Sequence, residues 1–159
     1  MKSILNSPLE VAVRIVTLLE AAYPDTLDTN RLVLLDYGLL HSQDLGGPSN
    51  LHPTLPIRAG EFGVKRQLVD AALHVLTRSG LALMIAADVG IAFQAGERAS
   101  GFVSALSSPY SEALKERAAW LVDHFADLGD DQVRQQMGVA LGTWVEEFDS
   151  VPTDLRGGA

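Results

Sequence analysis

The sequence contains no cysteine. That excludes disulfides, thiolate catalysis and cysteine-based zinc sites. It also lacks any apolar run near the length of a membrane span. The opening MKSILNSPLE has no long apolar segment of the signal-peptide kind and meets acidic Glu10 early. A cytoplasmic protein without a membrane partner is expected. Positive charge is scarce, with 12 Lys and Arg against 20 Asp and Glu and a net charge of −8. The excess is uneven. Residues 1–96 hold nine acidic and seven basic residues, and residues 97–159 hold eleven and five. An acidic chain is repelled by phosphate backbones unless a basic patch compensates. Only Arg58 to Arg78 is net basic, with Arg58, Lys65, Arg66 and Arg78 against Glu61 and Asp70. That is thin for a DNA reader. The catalytic signatures are missing too. There is no Gly-x-Ser-x-Gly elbow and no His-Glu-x-x-His. Leu45-Gly46-Gly47-Pro48 has neither the Lys nor the helix start of a phosphate loop. No cofactor is expected, and ATP chemistry would belong to a partner.

What is present is a helical pattern with strong punctuation. The chain has 159 residues, 47% of them hydrophobic, enough for a substantial core. Ser7-Pro8-Leu9-Glu10 opens a first helix, capped by Ser7 and stopped by Pro24. Its polar residues Glu10, Arg14, Thr17 and Glu20 form one narrow stripe. Nearly all its other positions are Val, Ile, Leu or Ala, so most of its circumference is buried. Asp28 caps a second helix, Thr29 to about Leu40. A third starts near residues 58–60 and ends at Ser79-Gly80. Leu81–Ile85 and Ile91–Gln94 flank a Gly-containing turn and read as a hairpin. A short helix follows from Glu97 to Leu106, and another helix runs from about Tyr110 to Leu128. A last helix, begun at Asp130 or Asp131, carries the stripe Val133, Met137, Leu141, Trp144 and Phe148. This stripe is either core or a docking face for another chain.

The stretch from Leu35 to Glu61, LDYGLLHSQDLGGPSNLHPTLPIRAGE, is the least ordinary part. Long connections inside compact domains are uncommon and usually functional or disordered. This one has apolar anchors at Leu45, Leu51, Leu55 and Ile57, and three stiffening prolines. Asp36, His41, Asp44, His52 and Glu61 include the residue types of a metal site, but at no standard spacing. Hydrogen bonding to the loop's own backbone is the plainer role.

Asn6-Ser7-Pro8-Leu9-Glu10, Leu35-Asp36-Tyr37, His41-Ser42-x-Asp44, Gly46-Gly47-Pro48 and Leu51-His52-Pro53-x-Leu55-Pro56-x-Arg58-x-Gly60-Glu61 form a distinctive series. Ser108-Pro109-Tyr110 and Glu116-Arg117-Ala118-x-Trp120 continue it. The series resembles the middle component of bacterial ABC-three-component systems, from Asn6 to Phe125. The resemblance implies an accessory subunit beside an ABC ATPase of the SMC or Rad50 kind and a nuclease-type effector. Related sets, the Lamassu-like systems among them, act against phage and plasmids. DNA would be reached only through the complex. The resemblance assigns no catalytic residue. Asp36, Tyr37, His41, Asp44, His52, Arg58 and Glu61 become candidate partner-binding residues, with the last helix as a possible docking element.

The expected fold is mainly α with one small β-hairpin. It comprises a winged-helix-like core over 1–96 with an inserted loop at 41–57, an acidic helical extension over 97–149 and a flexible tail over 150–159. Two other functions compete. A winged-helix transcription regulator would need Arg58, Lys65, Arg66 and Arg78 on one duplex. Against it, the connection before the third helix is long for a helix-turn-helix, and the hairpin carries no Lys or Arg. A small metal-dependent enzyme would need His41, Asp44 and His52 together.

Overall fold

Ser7 and Pro8 begin the first helix as their chemistry dictates. In the computed structural model, which describes residues 7–51, 61–88 and 90–141, α1 runs Pro8–Ala22. The Ser7 hydroxyl accepts from the Glu10 amide at 3.2 Å. α2 spans Thr29–Leu40, and the Asp28 carboxylate accepts from the Arg31 amide at 2.8 Å. A short 3-10 helix, Ser42–Leu45, follows. α3 spans Glu61–Arg78 and ends at Gly80, whose φ of 75° is a left-handed stop. Strands β1 (Ala82–Ala87) and β2 (Gly90–Ala95) pair antiparallel, from Ala82 opposite Ala95 to Ala87 opposite Gly90. Then come α4 (Ala99–Ala105), α5 (Pro109–Phe125) and α6 (Asp130–Leu141). Among the described residues the chain is thus mainly helical with one hairpin, as expected. No helix among the described residues is long and apolar enough to cross a membrane.

α1 is the axis of the molecule. It packs against α2, α3, α4, α5 and β2. Val11, Ile15, Val16, Leu18 and Leu19 are fully buried. So are Arg14 and Thr17, two members of its polar stripe. α1 is covered on that side as well, so Arg14 needed an internal counter-charge and Thr17 an internal acceptor. The Thr17 hydroxyl donates to the Val13 carbonyl at 2.7 Å. One hydrophobic cluster joins residues from α1 through α6, among them Leu35, Leu73, Phe93, Leu121 and Met137.

Two contacts set the positions of the outer elements. Arg31 on α2 donates to the Asp130 carboxylate at 2.7 Å and to the Phe125 carbonyl at 3.2 Å. It also donates to the Leu128 carbonyl. One guanidinium therefore satisfies the open C-terminus of α5 and the acidic N-terminus of α6. Arg31→Ala is expected to lower stability by about 2 kcal/mol in urea melts. Arg31→Lys should recover little, because an ammonium cannot serve three fixed acceptors. At the base of the hairpin, a Cβ on Gly96 would lie 2.9 Å from the Leu81 carbonyl carbon and 3.0 Å from the Ala82 nitrogen. It would be closer still to the Gly80 carbonyl oxygen. These are backbone atoms and cannot step aside. Gly96→Ala is expected to cost about 1–3 kcal/mol, read as a shift in the unfolding midpoint.

Candidate partner-binding surface

The interior carries a charge cluster built by three helices. Asp36 on α2 is fully buried. It accepts from Arg14 Nε at 2.7 Å and from Arg14 Nη2 at 3.3 Å. Its second oxygen also takes Lys65 Nζ from α3. The ammonium lies 4.4 Å from the centroid of the Tyr37 ring. Burial by itself pushes the Asp36 carboxyl up, but Lys65 and then Arg14 outweigh it and hold it at about 2. Burial works to lower the Arg14 value, yet the Asp36 carboxylate keeps it raised. Burial and nearby Glu10 push the Tyr110 phenol on α5 up. Asp36 and Tyr37 are therefore interior struts. The sequence suggests them as contact residues, but Asp36 is fully buried and Tyr37 nearly so, which leaves neither on the surface. Lys65, counted among the candidate phosphate contacts, is spent inside.

The loop after α2 is held from both sides. Within it, the Ser42 hydroxyl donates to the Pro48 carbonyl at 2.8 Å, and the Gly47 amide donates to the Ser42 carbonyl at 2.9 Å. Gln43 and Asn50 exchange side chain to backbone bonds in both directions. Gly46 turns the chain with a φ of 87°. Outside it, Arg117 on α5 donates Nε to the Ser49 carbonyl at 2.8 Å and Nη2 to the Ser49 hydroxyl at 3.1 Å. Its remaining Nη1 binds Ala113 on its own helix. Gly47 lies flat on Trp120, whose ring atoms stand 2.7–2.8 Å from where a Cβ would sit. Trp120 in turn stacks on His124 at 4.6 Å. The segments Gly46-Gly47-Pro48 and Glu116-Arg117-Ala118-x-Trp120, far apart in the chain, meet here.

His41 is mostly buried, with Nδ1 3.7 Å from the exposed Asp44 carboxylate and its ring stacked near Tyr37. Among the described residues no group of three or more His, Cys, Asp and Glu is placed to hold a metal ion. His52 and Arg58 lie outside the described residues, as does the Glu61 side chain. An open cleft of about 640 Å³ runs beside the loop. Asp44, Leu45, His124, Leu128, Gln132, Gln135 and Gln136 line it. Its walls combine two leucine side chains, three glutamine amides, the His124 ring and the Asp44 carboxylate.

Two members of the possible docking stripe are elsewhere. Val133 and Met137 are fully buried in the chain's own cluster. Met137 Cε comes within 3.0 Å of where a Cβ on Gly38 would sit, so the glycine lets α6 approach α2. Trp144, Phe148 and the Leu141 side chain lie outside the described residues. Arg117 and Trp120 are not among the candidate residues that the sequence offers. Their signal was available, since both stand in the later segment of the resemblance.

Residues 4–147 match the family model described as ABC-three component (ABC-3C) system Middle Component 2. The match runs past Phe125, so it takes in α6 as well. No curated protein and no solved structure matches the chain.

Proposed function

Because the chain belongs to the middle component 2 family of ABC-three-component systems, we propose that it is a non-enzymatic accessory subunit. In this reading it joins an SMC- or Rad50-like ABC ATPase to a nuclease-type effector, in a complex directed against phage or plasmids. The contact surface is the loop 41–51 with the cleft beside it. The supporting observation is the double anchoring of that loop by Arg117 and Trp120. A loop held this way needs no ordering on binding, which lowers the entropic cost of a complex. Its exposed groups, Gln43 and Asp44, stand next to the amide-lined cleft.

The test is co-expression with the ABC ATPase of the same system, followed by size exclusion at moderate salt. Co-elution as a stable complex is the expected result. Separate elution of the two proteins contradicts the proposal. The DNA-regulator alternative loses Lys65 to Asp36, and Arg66 bonds Asn30 at 2.6 Å. Salt-sensitive, nanomolar binding of a defined operator by the chain alone would revive it.

A further inference from the structure

The hairpin is apolar on both faces and, among the described residues, unpaired along one edge. Leu83, Met84 and Ile91 are 48%, 58% and 57% exposed. Neither strand contains a charged residue. The two edges differ. On the β2 side, Leu27 and Phe93 exchange both backbone bonds at 2.8 Å, and the Gln94 amide reaches the Pro24 carbonyl. That edge is occupied. On the β1 side, no backbone bond among the described residues reaches the strand. The Gly96 amide bonds the Leu81 carbonyl, which makes Leu81 and Gly96 a hydrogen-bonded pair. By alternation, Leu83, Ile85 and Ala87 face β2, while Ala82, Met84 and Ala86 aim N–H and C=O outward. Natural proteins protect such edges with charge, proline or a covering element. The strand β1 carries no charge and no proline, and among the described residues no element bonds along its outer edge.

We propose that the β1 edge pairs antiparallel with β1 of a second copy of this chain, about a twofold axis through Met84, making a four-stranded sheet. The strand sequence is what selects a second copy. Ala82-Leu83-Met84-Ile85-Ala86 is a palindrome in side-chain size about Met84. The register opposes Met84 to Met84, Leu83 to Ile85 and Ala82 to Ala86, so each large side chain meets a large apolar one. The Leu83–Ile85 pairs lie on one face of the sheet and the Met84 pair on the other. Charge fits as well. Extended to the strand ends, the register sets Asp88 opposite Gly80 of the second copy. The Arg98 side chain lies beside Gly80 and donates to the Ser79 carbonyl. A self-complementary patch with an opposite-charge rim is what an isologous interface requires.

Sedimentation over a wide concentration range tests this on the full chain. The wild type should pass from monomer to dimer as concentration rises. Met84→Pro removes an outward N–H without touching the β1–β2 ladder. Met84→Lys sets like charges at the axis. Both should remain monomeric with melting close to wild type. The absence of cysteine permits a second, independent readout. An antiparallel hydrogen-bonded pair holds its Cα atoms about 5.5 Å apart, within disulfide range. Met84→Cys should therefore form covalent dimers under mild oxidation roughly tenfold faster than the exposed control Ser104→Cys, because pairing raises the local thiol concentration. A wild type that stays monomeric throughout, with equal cross-linking at the two positions, overturns the proposal. Loss of ATPase binding in Met84→Lys from a monomeric wild type also overturns it, and gives the edge to that partner. The first outcome is independent of whether the ATPase complex forms, and the second presupposes that complex.

Discussion

Asp36→Ala is expected to destabilise the protein by about 3–5 kcal/mol, because it leaves two buried cations without their carboxylate. Arg14 and Asp36 are fully buried and Lys65 nearly so, so water cannot replace the lost partner. Three helices lose their common tie at once. Urea unfolding followed by circular dichroism gives the number. A loss under about 1 kcal/mol contradicts the reading, since that is the range of exposed pairs. Glu112→Ala, which breaks the exposed pair with Lys115, is the matched control and should change little. The apolar triple replacement Arg14→Met, Asp36→Leu, Lys65→Met should recover much of the loss, because no buried charge is then left unpaired.

The same carboxylate sets an acid limit. Its folded value is held at about 2, below the ordinary 3.8. A group whose folded value is depressed stabilises the fold above its unfolded value and loses that contribution as pH falls. The window is therefore pH 4 down to pH 2, and the contribution is on the order of 2 kcal/mol. In Asp36→Leu combined with the two cation replacements, this part of the acid transition should flatten.

Gly47→Val is expected to lower affinity for the ATPase component by about tenfold or more, equivalent to about 1.4 kcal/mol. The new side chain would enter the Trp120 ring, so the loop must lift from α5. The core is untouched, and the unfolding midpoint should move far less than in Asp36→Ala. Arg117→Ala frees the same loop by another route, through loss of both Ser49 bonds. Titration calorimetry with both variants is the check. Wild-type affinity in both would mean that the loop is not the contact surface.

The helices were legible because their ends are local chemistry. Ser7-Pro8, Asp28, Ser108-Pro109 and Gly80 each act within a few residues, and α2 matches its expected span. The hairpin was legible from two apolar runs about a turn. The charge cluster was not. Arg14, Asp36 and Lys65 are 22 and 29 residues apart, and nothing local tells a buried arginine from one on a solvated stripe. The loop was legible as an anomaly and illegible as a structure. Its anchor on Arg117 spans 68 residues. Val133 and Met137 show the same limit, since core and docking stripes share one periodicity.

Amide hydrogen exchange, on the chain alone and in the ATPase complex, tests the proposed surface most directly. The expected result is new protection at 41–51 and along Gln132–Gln136, with the α1 core unchanged. A stable complex that protects other surfaces and leaves these two segments as they were would contradict it.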